Sequence, residues 1–261
     1  MLKTSCVYAY IFETSPKSRT AILNMGKYEQ VPHPFIIEPP DDIGRVFNPS
    51  EKICFNLILV GKAINYLPYF ILAFIELGTI GLGSGRGKYR LISVKDGDKT
   101  VYDIDDRQIN PGLPKELIIS EAFNFENVSE EDVKLRFITH ARILDNRDFV
   151  VKLDFHILVK ALMRRLHMLY YFHCNEKESL WKHNEIIDKA KEVKIAENTS
   201  KWHDWERYSS RQGIRMKMGG LKGTITYRGN IEPFLSIISV GEVLHIGKGT
   251  SFGLGKYVMI K

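Results

Sequence analysis

Two stretches far apart in this chain are built alike. Pro68, followed by Tyr-Phe, opens an apolar helical pattern that contains Gly78 and leads into "GLGSGRGKYRLI"; Pro233, followed by Phe-Leu, opens another that contains Gly241 and leads into "GKGTSFGLGKYVMI". Helix, glycine loop, Gly-Lys-Tyr and strand thus occur twice in the same order, which makes an internal duplication the economical reading. A repeated βαββαβ unit predicts an α+β chain of two tandem ferredoxin-like domains. The segment "QINPGLPKE" reads as the linker between them, with bounds of 1–115 and 116–261. The chain has 261 residues, a length that can bury one large core or two small ones.

Hydrophobic period places the other elements. In the first half "KICFNLILVG" reads as a buried strand and "YLPYFILAFIEL" as a helix with Pro68 in its first turn. "ISVKDG" and "KTVYDI" read as a strand pair turning at Asp96 and Gly97. In the second half "DVKLRFITHARI" alternates as a strand. "LDFHILVKALMRRLHMLYYF" is a helix with Phe155, Leu158, Leu162, Leu166 and Leu169 on one face. A polar helix over "KHNEIIDKAKEV" follows. Then come two strands joined at Gly219 and Gly220 as a hairpin, the short helix "IEPFLSIIS" and the final strand "KYVMIK". The apolar stretch Tyr66 to Leu82 is broken by Pro68 and Glu76, so no membrane span is expected. No secretory signal opens the chain. Cys6, Cys54 and Cys174 are odd in number, far apart and without zinc spacing, which predicts reduced thiols in a cytoplasm. No histidine pair has metal-ligand spacing with a carboxylate, so neither a metal nor a cofactor is expected.

The formal charge is +6, and from Thr199 onward there are ten Lys or Arg against four Asp or Glu, so the excess lies in the last quarter. Arg207 to Arg228 contains six basic residues and no acidic one. That block fits either a polyanionic partner or a solvated cationic face. Arg211, Arg215, Lys217, Lys222 and Arg228 lie on the two strands of the expected hairpin, with Tyr208 and Tyr227 interleaved for base stacking. Arg86, Lys88 and Arg90 offer a second positive patch in the first half. Trp202 and Trp205 read as core anchors or stackers.

The loop "GKGTSFGLGKY" is not a triphosphate loop. A glycine is missing at the required spacing before Gly255, Lys256 is followed by Tyr257, and the helix precedes rather than follows it. Gly247, Gly249, Gly253 and Gly255, beside Lys248 and Lys256, leave two readings. One is a nest of backbone N–H groups for phosphate oxygens, the other a tight packing turn between helix and edge strand.

The run "GLKGTITYRGNIEPFLSIISVGEVLHIGKGTSFGLGKYVMI", with "WHDWERYSSRQGIRMKMGG" before it, closely resembles the C-terminal domain of the CRISPR repeat-processing endoribonucleases of the RAMP superfamily. "CVYAYIFET" and "VPHPFIIEPP" resemble the middle of the N-terminal domain of the same family. The resemblance implies two ferredoxin-like domains of RAMP type with an RNA-binding cleft. It also implies metal-independent cleavage of precursor CRISPR RNA within each repeat, and association with other CRISPR-associated proteins or a second copy of the chain. The chemistry is attack of a ribose 2′-hydroxyl on the scissile phosphate. It needs a base, an acid and a cation, tasks suited to His, Tyr and Lys. By segment count the N-terminal domain is incomplete, lacking the first strand and the first helix that often supplies the family's catalytic His or Tyr. The chain therefore reads as a nuclease or as a cleavage-deficient RNA-binding subunit. The candidates left for catalysis are His245, two residues before the glycine loop, His140 at a strand end, and Tyr227. His156, Lys160, Arg164 and His167 read as the solvated stripe of a helix and His33 as structural.

Overall fold

The two copies of the helix and glycine-loop unit close in the same way. In a computed structural model of the chain, which describes residues 6–13, 31–40, 45–83, 85–106, 108–109, 131–175, 183–209 and 213–260, a Cβ on Gly78 would run into Tyr89 and one on Gly241 into Tyr257. Tyr89 donates its phenol to the Phe74 carbonyl at 2.7 Å, and Tyr257 to that of Ile238 at 2.6 Å. The close neighbour is the Tyr89 carbonyl at Gly78 and the Tyr257 hydroxyl at Gly241, and in each copy the phenol of Gly-Lys-Tyr bonds a carbonyl of the helix turn before the glycine. A side chain at either glycine would push the helix off that tyrosine.

In the N-terminal half, helix α1 (Val7–Phe12) precedes an antiparallel ribbon of β1 (Phe35–Glu38) and β2 (Asn56–Leu59). A 3₁₀ turn over Gly61–Tyr66 leads into α2 (Leu67–Ile80), with Pro68 in its first turn, where a missing N–H is harmless. A second ribbon joins β3 (Ser93–Asp96) to β4 (Lys99–Asp103). Asp96 pairs with Lys99, so the turn falls on Gly97 and Asp98, one residue later than expected, where Gly97 supplies φ +58°. Helix α2 packs both ribbons: Phe70 meets Phe35 and Ile11, while Ile71 meets Val101 and Tyr102. Among the described residues the two ribbons form separate sheets. The run Gly61–Ile80 is apolar and long enough to cross a membrane by length and composition, with Tyr69, Leu72 and Ile80 exposed. The stretch "CVYAYIFET" forms α1, whose Tyr10 hydroxyl lies 3.2 Å from His173 Nδ1. His173 donates from Nε2 to the Pro32 carbonyl at 2.8 Å. Burial pushes this histidine down to about 4, and the neutral ring has the one donor and one acceptor this site requires.

The C-terminal half opens with β5 (Asp132–Ala141) and a short ribbon of β6 (Leu144–Asp145) and β7 (Asp148–Phe149). Helix α3 (Phe155–Leu169), ending in a π turn, and α4 (His183–Ala190) follow. Then come β8 (Lys194–Asn198), β9 (Lys201–His203), β10 (Glu206–Ser209), β11 (Ile214–Lys217) and β12 (Gly220–Arg228). Helix α5 (Leu235–Leu244) and β13 (Tyr257–Ile260) close the chain. The main sheet runs β13-β5-β12-β8, all antiparallel, with β9 extending the β8 side of β12. Leu135 and Phe137 of β5, Ile225 and Tyr227 of β12 and Tyr257 of β13 pack one face of it against Phe155, Leu158 and Leu162 of α3 and Ile238 of α5. Each such side chain contributes roughly 1.5–3 kcal/mol on removal from water. Among the described residues the other face carries no helix from this half.

The hairpin expected at Gly219 and Gly220 is absent. Strand β11 pairs with β10, and β12 belongs to the main sheet. The two glycines serve close approach instead: a Cβ on Gly219 would sit 2.7 Å from Asp204 Oδ1, and one on Gly220 2.8 Å from the Ala141 carbonyl. Of the expected basic stripe on α3, Lys160 pairs with Asp145 at 2.7 Å. His167 is buried and stacked on His183, with ring centroids 5.4 Å apart. His33 faces the Ile11 carbonyl at 3.1 Å and stacks on Phe35, a structural placement.

Candidate nucleic-acid interface

Alternation along β5 sorts its side chains. Val133, Leu135 and Phe137 enter the core, while Lys134 and Arg136 stand exposed on the opposite face. Paired residues of neighbouring strands share a face. Lys134 therefore joins Thr226, and Arg136 joins Thr224. On β12 the same face continues through Lys222, opposite Lys201 of β9, and Arg228. Asp132 reaches Arg228 at 3.4 Å. The open side of the sheet thus presents Lys134, Arg136, Lys201, Lys222 and Arg228, with Thr224 and Thr226 between them and only Asp132 and Glu197 as acidic neighbours in the strand register, a floor of net positive charge. An open antiparallel sheet of this kind suits single-stranded RNA.

At one end of this floor stand His140, the exposed His203 and Trp205. The His140 ring centroid is 6.1 Å from that of His203 and 5.8 Å from Trp205. Burial, with the charge of Lys222 and the neighbouring His203 behind it, holds His140 below the usual histidine range. Arg207 of β10 lies over the ring of Phe252 at 4.7 Å, and Phe252, in the glycine loop, is 54% exposed. Trp205 is partly open to solvent, while Trp202 packs against the core and donates to Asp204.

The glycine loop is a joint between the two halves. Gly247, Gly249, Gly253 and Gly255 all take positive φ, between +75° and +89°. Gly247 approaches the Arg142 carbonyl, Gly255 the Ile246 carbonyl, and Gly253 the backbone of Ile37 and the ring of Pro39 in the N-terminal half. The N–H groups of Lys248, Phe252, Gly253, Leu254 and Gly255 donate to carbonyls of the protein, and that of Lys256 to the Thr139 hydroxyl. Those donors are therefore already engaged, and packing accounts for the glycines. In the first copy of the loop, by contrast, a Cβ on Gly83 or Gly85 meets nothing within 4 Å, and Arg86, Lys88 and Arg90 are exposed beside them.

Two of the three catalytic candidates are sealed from solvent. Tyr227 is buried in the core and donates its phenol to the Leu153 carbonyl at 2.8 Å. His245 is fully buried, with Nδ1 3.2 Å from the Leu254 carbonyl and Nε2 2.8 Å from Glu38 Oε1. The other Glu38 oxygen accepts from Lys256 Nζ and Asn56 Nδ2, each at 2.9 Å. Lys256 is thereby spoken for, and the hydrogen bond from His245, with those from Lys256 and Asn56, pulls the Glu38 carboxyl down to about 2 against burial. Of the other basic residues singled out, Arg215 faces Glu206 at 3.7 Å, Lys217 and Lys248 are exposed, and Arg211 lies outside the described residues. The sequence reading missed Lys134, Arg136, Lys201 and His203. The signal for the first two was present in "DVKLRF", where basic and apolar residues alternate. The three cysteines are free and exposed, and no group of three or more His, Cys, Asp or Glu comes together among the described residues.

An α+β chain with a basic open sheet face suits a polyanionic partner, and similarity to known proteins says of which kind. Residues 135–257 match the family of the CRISPR-associated endoribonuclease Cas6. Residues 1–113 match a family described as an N-terminal domain. Residues 135–257 thus carry a CRISPR-associated endoribonuclease Cas6 domain, which supports a CRISPR repeat-processing endoribonuclease acting on precursor CRISPR RNA. Its fold is similar to that of a Thermus thermophilus Cas6 product complex, with TM-score 0.57 at 16% identity over 97% of this chain and 90% of that one. A second Cas6 product complex gives TM-score 0.50 at 14% identity over 89% and 84%. A partial Cas6-RT-Cas1–Cas2 complex gives 0.52 at 15% identity over 87% of this chain and 38% of that one. No curated protein matches the sequence.

Proposed function

We propose that this chain cuts precursor CRISPR RNA within the repeat, without a metal, by attack of a 2′-hydroxyl on the adjacent phosphate. The RNA lies along the open face of the C-terminal sheet, across Lys134, Arg136, Lys201, Lys222 and Arg228. The exposed Arg86 and Lys88 of the first glycine loop add a second contact in the N-terminal half. Residues 1–115 form a partial ferredoxin-like unit and residues 116–261 a second such unit, and the second glycine loop fastens one to the other. The observation that supports this reading most is the Cas6 family match over residues 135–257, which include Arg136, Lys201, Lys222 and Arg228 of the basic face. The chemistry asks the protein for a base, an acid and a cation, all of which side chains can supply.

Incubation of end-labelled repeat RNA with the protein in excess EDTA should yield one discrete cut, its upstream product ending in a 2′,3′-cyclic phosphate. A single 2′-deoxy substitution at the cut site should abolish it. Product that appears only when a divalent cation is added back would mean that the metal-independent route is wrong.

A further inference from the structure

His140 and His203 belong to different strands, yet the fold sets them side by side at the end of the cationic floor. Their ring centroids are 6.1 Å apart in an edge-on arrangement. His203 is exposed and His140 half-buried, and both lie on the face of the sheet that no helix of this half covers among the described residues. Strand β9 puts His203 opposite Gly220, whose lack of a side chain lets β12 approach the Ala141 carbonyl at the end of β5 closely. Lys222, two residues along β12, completes a group of two imidazoles and one ammonium. Trp205 flanks His140 at 5.8 Å and offers a ring on which a base can stack.

The end of β5 is held firmly. The Thr139 hydroxyl donates to the Gly253 carbonyl at 2.8 Å, and the His140 carbonyl accepts from the Gly255 N–H at 3.0 Å. The glycine loop, already committed to packing, is therefore the brace that fixes where His140 stands. Such rigidity is what a proton-transferring side chain requires.

The geometry points to a catalytic pair at this place: His140 takes the proton of the attacking 2′-hydroxyl, His203 gives one to the departing 5′-oxygen, and Lys222 faces the charge that gathers on the phosphorus oxygens between them. This assignment rests on the cleavage reading above. The bond formed joins the 2′-oxygen to phosphorus, and the bond broken joins phosphorus to the 5′-oxygen. The products are a 2′,3′-cyclic phosphate and a free 5′-hydroxyl. His140 ends protonated and His203 neutral, and exchange with water restores both. The division of labour follows from surroundings. Burial and the nearby ammonium favour the neutral ring of His140, which can accept a proton, while His203 stands exposed to solvent.

The test is single-turnover cleavage of repeat RNA in EDTA at saturating protein, with RNA affinity measured in parallel for wild type, His140→Ala and His203→Ala. Each substitution should slow cleavage by about 100-fold or more while affinity stays within about threefold. The double variant should be little worse than either single one, because the two act as a unit. His203 is exposed, so the melting temperature of His203→Ala should match the wild type's, and that variant carries the test if the half-buried His140 proves to matter for stability. Wild-type rates in either variant, with the wild-type protein active, would overturn the pair and leave the cleavage reading standing. A wild-type protein that binds repeat RNA and never cuts it would overturn both.

Discussion

Glu38→Ala should destabilise the folded protein by about 3–5 kcal/mol, the range for removing one partner from a buried ion pair. This carboxylate is buried and receives hydrogen bonds from His245, Lys256 and Asn56. Its loss leaves His245 fully buried with Nε2 facing no acceptor and unties β1 from the second glycine loop. Glu38→Gln keeps the shape and removes the charge, and should lose about half as much. The same carboxylate makes the stability acid-sensitive. Its folded value of about 2 lies below the ordinary 4.5, so its contribution, about 3 kcal/mol by that difference, is complete above pH 4.5. It is lost as pH falls toward 2, where the folded state also takes up the proton. Urea denaturation at pH 7 and near pH 3 should therefore show the gap between wild type and Glu38→Ala narrowing in acid. An unchanged gap would mean that the carboxylate's charge is not what fastens the halves.

Gly255→Ala should be at least as damaging, about 4 kcal/mol or more, or should prevent folding. The residue sits at φ +75°, and an added Cβ would be driven into the Ile246 carbonyl, which belongs to the backbone and cannot swing aside. Relief requires breaking two bonds that fix the loop: Ile246 N–H to the Gly255 carbonyl, and Gly255 N–H to the His140 carbonyl. Gly85→Ala in the first loop is the matched comparison. Its Cβ would meet nothing within 4 Å and its φ is not positive, so its melting curve should overlay the wild type's. Equal tolerance at both positions would contradict the view that the second loop is a packing joint.

The long, regular parts of the fold were legible because a period of 3.6 or 2 survives in the sequence. Phe155, Leu158, Leu162 and Leu169 announce α3, and Val133, Leu135 and Phe137 announce β5. The duplication was legible too, since Gly78 with Tyr89 and Gly241 with Tyr257 answer one local demand twice. What failed were inferences from composition to purpose. Paired glycines can turn a chain or let backbones touch, and nothing local tells Gly219 and Gly220 which to do; the nearness of Asp204 and Ala141, set by the sheet, decides it. The same ambiguity hid the role of the second glycine loop, whose neighbours Ile37 and Pro39 lie some two hundred residues earlier in the chain. His245 drew attention by its place beside that loop, but burial against Glu38 is a long-range fact. Lys134 and Arg136 do not stand out along the chain, where the charges of "EEDVKLR" nearly cancel. On a strand, alternation gathers those two on one face.

That basic face is the centre of the account, and the salt dependence of RNA binding tests it most directly. Affinity for repeat RNA would be measured between about 50 and 200 mM salt for wild type, the double variant Lys134→Ala/Arg136→Ala, and Lys248→Ala in the second glycine loop. The wild-type logarithm of affinity should fall linearly with that of salt. The double variant should bind more weakly with a slope shallower by about 1.4, since each single-strand phosphate contact contributes about 0.7, and Lys248→Ala should change little. An unaltered slope in the double variant, with the loss appearing in Lys248→Ala instead, would return the RNA to the glycine loop and contradict the sheet as its floor.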